Sequence, residues 1–146
     1  ESKILIDNYY ENYPTLREYI SKQIDFAREN GYVETLMGRR RYLTNINSQN
    51  GMIRSADERN AINAPIQGSA ADIIKIAMKN IFNIFNEKQF KSKMILQVHD
   101  ELVFDVHLSE LNEIEKVVKN SMENAVTLDI PIKVDIGSGK NWLEAH

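Results

Sequence analysis

The sequence predicts an α+β fold in which an antiparallel sheet, made of a hairpin plus a C-terminal strand, packs on long helices. Apolar residues recur at helical spacing along several stretches. Two β-rich runs, Met94 to Val98 and Leu102 to Val106, are separated by only His99, Asp100 and Glu101, the spacing of a tight hairpin. Near the end, Ile132, Val134 and Ile136 alternate with Lys133 and Asp135, which is the period of a strand with one buried face.

In chain order, Ser2 to Asn12 has helical composition without a clear cap. Pro14 suits the first position of a second helix, in which Leu16, Ile20, Ile24 and Ala27 keep the helical period until Gly31 can end it. Val33 to Leu36 and Arg41 to Leu43, on either side of Met37-Gly38, predict a small hairpin, and Thr44 to Gly51 an Asn-rich loop. From about Met52 the pattern is helical again. Pro65 is expected to break it, because proline lacks a backbone donor and clashes with the preceding turn. In the second piece, Ile73, Ile74, Ala77, Met78, Ile81, Phe82 and Phe85 make an apolar face wide enough to predict a largely buried helix. After the main hairpin, Ser109 is the expected N-cap of an amphipathic helix carrying Leu111, Ile114, Val118, Met122 and Ala125. Gly137 to Lys140 reads as a terminal turn with Trp142 as a packing anchor.

A length of 146 residues suits one hydrophobic core, and 42% hydrophobic with 27% charged residues is the composition of a globular protein rather than a disordered or collagenous one. No apolar run approaches the roughly 18–20 residues of a membrane span, and the opening ESKILIDNYY lacks the order of a secretory signal. The expectation is a soluble, cytoplasmic protein without a membrane partner. The absence of cysteine excludes disulfides, thiolate catalysis and Cys-ligated metal, and leaves oxygen-ligated metal open. Charge is unevenly distributed: residues 1–35 carry 4 basic and 7 acidic side chains, residues 36–96 carry 10 and 4, and residues 97–146 carry 4 and 10. A basic middle beside an acidic end can set an anion-binding surface next to a cation site; a solvated mixed surface is the other reading.

Two segments carry the chemistry. QVHDELVFD places three ionisable residues in a hairpin turn where Asn-Gly or Asp-Gly would turn better, and carboxylates at a sheet rim suit a hard, oxygen-preferring cation. A plain solvated turn is the alternative. A helical His-Asp phosphohydrolase motif is disfavoured, since the flanks are strand-like and only His107 and His146 remain as further histidines. In RSADERNAINAPIQGSAADIIK, the residues Arg59, Asn63 and Gln67 are spaced by four and would project the same way from a helix. Arginine can clamp a phosphate and the amides can meet base edges, while an exposed polar face is the bland reading. Gly68 allows close approach of a backbone or ligand. GRRRY, with Arg39, Arg40 and Arg41, offers a phosphate grip beside a turn, or else three solvated charges; with Arg54 and Arg59 these arginines are the clustered charge that salt-sensitive DNA binding needs. GSGK lacks both the GxxxxGK[ST] pattern and the following helix of a P-loop.

Together, RNAINAPIQGSAADIIK followed by LQVHDELVFD resembles the C-terminal part of the family A DNA polymerases, the bacterial DNA polymerase I type. The likeness runs end to end, since GYVETLMGRRRYL resembles the family's GYVET and GRRR segment and DIGSGKNWLEAH its closing strand and tail. The resemblance implies that Asp100 binds catalytic Mg2+ in a two-metal site, with Glu101 in support and His99 at the primer terminus. It implies that Arg59, Asn63 and Gln67 contact template and the minor groove of the newest base pairs. It further implies an N-terminal helical fingers portion over residues 1–51 and a palm portion over 52–146, whose palm-type sheet holds the metal-binding hairpin. Primer-template DNA and deoxynucleoside triphosphates are the implied partners, and the implied location is cytoplasmic and nucleoid-associated in a bacterium.

The family's earlier palm strand with its other metal-binding Asp, and the fingers helix that grips the triphosphate, have no counterpart in this sequence. The expectation is therefore a C-terminal polymerase fragment, inactive alone, with exposed apolar surface and a tendency to self-associate. A free-standing nucleic-acid-binding or scaffold module that keeps a palm surface without catalysis is the alternative.

Overall fold

The structure, a computed structural model, describes residues 2–145; Glu1 and His146 lie outside the described residues. Its elements are helices α1 (Ser2–Asn12) and α2 (Pro14–Asn30), strands β1 (Tyr32–Glu34) and β2 (Arg40–Tyr42), helix α3 (Gly51–Glu87), strands β3 (Lys93–Val98) and β4 (Glu101–Asp105), a single 3-10 turn (Leu108–Glu110), helix α4 (Leu111–Glu123) and the short α5 (Trp142–Ala145). Two compact units divide the chain between Ser69 and Ala70, so α3 contributes to both.

The first unit is closed by local signals. Pro14 opens α2, and Gly31, left-handed at φ 75°, ends it by donating to Ala27 O at 2.8 Å. The chain then turns into the antiparallel β1–β2 pair, with Val33 opposite Arg41, so this hairpin begins about one residue earlier on both strands than the sequence suggests. Ala27, Val33, Leu43, Ile46 and Ala61 form the core, with Ile24 and Ala64 packed against it. Asp57 accepts from Asn45 N at 2.8 Å, and Glu58 receives Arg28 at 2.8 Å, which fastens the Asn-rich loop and α2 to the start of α3.

The expected break at Pro65 does not occur: α3 is one helix of 37 residues with Pro65 inside it and buried. Proline does remove one ladder bond, but the surrounding contacts hold the helix through. The Ser69 hydroxyl donates to Pro65 O at 2.5 Å and accepts Leu36 N at 2.8 Å, while Ala61 and Ala64 on the same helix pack into the core.

In the second unit, α3 presents a narrower buried stripe than its composition suggests. Ile74, Ala77, Ile81 and Phe85 are buried, but Phe82 is 60% exposed and Ile73 and Met78 are half-buried. The stripe meets Ile114 and Val118 of α4 and, two apart along one face, Leu102, Phe104 and Val106 of the β4 segment. The hairpin is thus backed by α3 and α4, as expected. α3 ends with Gln89 left-handed at φ 52°, Gln89 N on Asn86 O, Phe90 N on Phe85 O, and the Phe85 and Phe90 rings 5.3 Å apart; these are the two reciprocal bonds and the apolar contact of a Schellman stop.

Three expectations about the last fifty residues need correction. Ser109 does not cap α4; it lies inside the 3-10 turn, where His107 is the cap and accepts Ser109 N. The Ile132 to Ile136 segment keeps its alternation only as far as Asp135, with Ile132 and Val134 half-buried, Lys133 and Asp135 exposed and Ile136 exposed as well, and among the described residues it pairs with no strand. Alternation reports which face is covered, whereas a ladder also needs a neighbouring edge, and Val134 N is instead accepted by Glu123 at 3.2 Å. Trp142 is 47% exposed at the start of α5, too open for an anchor.

Candidate functional site

Because α3 is continuous, the four-residue spacing of Arg59, Asn63 and Gln67 holds along its whole first half, and all three side chains are exposed. Arg59 Nη1 reaches Ser55 Oγ at 3.5 Å, one turn earlier. Gln67 also lines a cavity of about 90 Å³, together with Arg39, Arg40 and Arg41, the Glu34 carboxylate, and the smaller or apolar Val33, Thr35, Ala64 and Gly68. The structure therefore brings Gln67 and the three-arginine run together within the first unit.

The candidate cations are not equivalent. Arg40 is bound by Glu34 at 2.7 Å and lies 4.3 Å over the Tyr32 ring; the Glu34 hydrogen bond is the largest of the causes that raise its pKa further. Arg39 Nη2 donates to Gly68 O at 3.1 Å. Arg41 is exposed on β2. Arg54 is half-buried, donating to Ser48 O at 3.0 Å and standing 3.5 Å from Glu58, so it braces the loop before α3.

In the second unit, the register pairs Val98 with Glu101, which leaves a two-residue turn, His99-Asp100. His99 has φ 54° and Asp100 does not have a positive φ, so the first turn residue sits in the left-handed region that favours glycine. A side chain there costs about 1–2 kcal/mol, which supports the reading that this turn gives up local stability. Gln97 Nε2 donates to His99 O at 3.0 Å and steadies the corner. His99 and Asp100 are exposed, and Glu101 is half-buried at the head of β4. The donor set is carboxylate oxygen at an open rim, which fits a hard divalent cation. Among the described residues, no three His, Asp or Glu side chains gather into a metal-ligand group.

Sequence reasoning missed Ser69, Thr35 and Glu34. A serine four residues after a mid-helix proline is a readable signal, since its hydroxyl can reach back to the i−4 carbonyl. The partners of Thr35 and Glu34 are set by the hairpin, and no local pattern marks them.

The chain thus offers two candidate surfaces, a hairpin with an acidic turn and a long helix whose Arg, Asn and Gln face runs beside arginines. It belongs to DNA polymerase family A, whose family model matches residues 1–144. The chain is 50% identical over 146 residues to DNA polymerase I of Borreliella burgdorferi, covering 100% of this chain and 16% of that protein. It is 47% identical over 145 residues to DNA polymerase I of Bacillus subtilis strain 168, again 16% of that protein. A solved structure described as the POL domain of Pol1 from M. smegmatis in complex with DNA primer-template and dNTP matches with a TM-score of 0.97 and 45% identity, over 99% of this chain and 26% of that one. The chain thus spans 16% of the length of these curated relatives. No helix among the described residues is long and apolar enough to cross a membrane.

Proposed function

We propose that this chain supplies part of the active centre of a DNA-directed DNA polymerase, with residues 1–51 belonging to the fingers and residues 52–146 to the palm. The observation that carries the reading is the His99-Asp100 turn: a strained corner holds a carboxylate at an open sheet rim, in a chain of this family. Asp100 is the residue to hold Mg2+, with Glu101 in support, and the remaining ligands come from residues outside this chain. When bound, such a metal pair activates the primer hydroxyl and neutralises the triphosphate. His99 stands next to Asp100 and is placed at the primer terminus.

The first half of α3 has a different task. Arg59 holds template phosphate, while the Asn63 and Gln67 amides face the minor groove, where correct pairs present acceptors at similar positions. Contacts there check pair geometry without reading sequence. Arg39, Arg41 and, less directly, Arg40 and Arg54 add positive charge along the DNA path. Primer-template DNA and deoxynucleoside triphosphates are the partners in this reading.

The test is made in the intact polymerase. Asp100→Asn is expected to abolish extension while leaving primer-template affinity nearly unchanged, since it removes a metal charge and no phosphate grip. Near-normal turnover in that variant rejects the metal assignment. Gln67→Ala is expected to slow extension chiefly from mismatched termini, and equal effects on matched and mismatched ends reject the minor-groove role.

A further inference from the structure

Three consecutive residues of α3 do three different things. Gln67 is exposed and lines the cavity; Gly68 lies against the β1–β2 hairpin; Ser69 is 8% exposed, with its hydroxyl inside the contact. Leu36 N, in the hairpin turn, donates to Ser69 Oγ at 2.8 Å, and the same hydroxyl donates to Pro65 O at 2.5 Å. Hydrogen bonds in such a relay polarise and strengthen one another. One residue away, Arg39 donates to Gly68 O at 3.1 Å, and a Cβ on Gly68 would stand 2.6 Å from Thr35 Cγ2. The hairpin therefore grips the helix at Gly68 and Ser69, the two residues that follow Gln67, in the turn next to the one from which Pro65 has removed a ladder bond.

We propose that Ser69 is a positioning residue for Gln67: its buried hydroxyl fastens the β1–β2 hairpin to α3 beside Pro65, and Gly68 permits the close approach that this fastening needs. The proposal rests on the reading of Gln67 as a minor-groove contact. Fastening does not touch DNA; it fixes the direction in which the Gln67 amide points and the place of the arginines opposite it. A side chain that checks base-pair geometry must itself be held to a fraction of an ångström, and the hairpin contacts at Gly68 and Ser69 brace the helix directly beside it.

The experiment compares kcat/KM for extension from matched and mismatched primer ends in the intact polymerase. Ser69→Ala is expected to leave the matched-end kcat close to that of the parent. It should shift the matched-to-mismatched ratio about 2–10-fold in the same direction as Gln67→Ala, the range that loss of one ordinary hydrogen bond gives. Ser69→Thr, which keeps the hydroxyl, restores the ratio. Gln67→Ala combined with Ser69→Ala adds nothing further, and Ser69→Cys carries the same comparison if the alanine variant folds poorly. A merely structural serine lowers the melting temperature and the active fraction equally for both ends, and an unchanged ratio of that kind overturns the proposal. If Gln67→Ala itself leaves the ratio unchanged, the minor-groove reading fails separately, and a crystal structure of Ser69→Ala then decides the positioning. A displaced hairpin and Gln67 support it, and an unmoved pair overturns it.

Discussion

Gly68→Ala puts two opposing effects of known size into one position. Glycine in mid-helix is less stable than alanine by about 1 kcal/mol, so the substitution alone favours α3. Against it, the new Cβ meets Thr35 Cγ2 at 2.6 Å and Arg39 Nη2 at 3.4 Å. Carbon pairs rest at roughly 3.5–4.0 Å, so Thr35 must retreat by about 1 Å. It is not free to rotate away, because Thr35 Oγ1 accepts Arg39 N at 3.2 Å. Overpacking of this kind costs about 1–3 kcal/mol, which leaves Gly68→Ala a net destabilisation of about 0–2 kcal/mol. Thr35→Ser deletes the offending methyl and keeps the accepting oxygen, at a cost of about 0.8 kcal/mol for the lost group. In the Thr35→Ser background, Gly68→Ala is expected to change sign and stabilise by about 0.5–1 kcal/mol. Urea unfolding of the four proteins, followed by far-UV circular dichroism, reads this as midpoints that move in opposite directions by about 0.5 M. Additive effects, with Gly68→Ala equally unfavourable in both backgrounds, refute the steric argument.

Other outcomes follow from the same geometry. Ile81 is fully buried between α3, α4 and β4, so Ile81→Ala should lower unfolding free energy by about 2–5 kcal/mol, whereas Phe82→Ala, one residue on but exposed, should stay within about 0.5 kcal/mol of the parent in the same measurement. Glu110 is held below the usual carboxylate range, first by the Ser92 hydroxyl and then by Lys91 N, so its contribution is present above the unfolded carboxylate pKa and is lost as pH falls through the lower folded value. Acid titrations of stability should therefore show a shallower acid limb for Ser92→Ala; identical limbs contradict the assignment. Finally, the 146-residue chain alone should not extend a primer with Mg2+ and all four nucleotides, because the Asp100 turn lacks opposing ligands. Incorporation by the purified chain that disappears in its Asp100→Asn counterpart would show otherwise.

The sequence was most legible where one residue decides one bond. Pro14 and Gly31 bracket α2 because a fixed φ and a left-handed φ are properties of those residues alone. The β3–β4 hairpin followed from two apolar runs too close together to be anything else, and Asp100 and Glu101 were placed with it. Pro65 misleads because the local rule is correct but outweighed: the lost bond to Ala61 O is not replaced, and the helix is held instead by Ala61 and Ala64 in the core and by the Ser69 hydroxyl between Pro65 O and Leu36 N. Ile132 to Ile136 misled for the opposite reason, since a strand is a relation between two segments and its alternation shows only one of them. Phe82 belongs to the buried face by its chemistry, yet the α4 and β4 side chains fill only the stripe through Ile81 and Phe85. For the site, Arg59, Asn63 and Gln67 group from spacing and Ser69 is marked by its place four residues after Pro65, but the bond its hydroxyl accepts from Leu36 N shows only with the hairpin laid on the helix.

The Glu34–Arg40 pair bears on how strongly ionic strength should act on this surface. Each phosphate neutralised by a protein cation contributes about 0.9 to the slope of log affinity against log salt on duplex DNA, because that many condensed counterions are set free. Three adjacent arginines in GRRRY suggest three such contributions. Arg40 already has a carboxylate at 2.7 Å and an aromatic face beneath it, so moving it to a phosphate releases counterions only after its own partner has been left behind. If the hairpin meets DNA as proposed, it thus carries one fewer salt-responsive contact than its three arginines suggest, and the salt slope should move by less for Arg40→Ala than for Arg41→Ala.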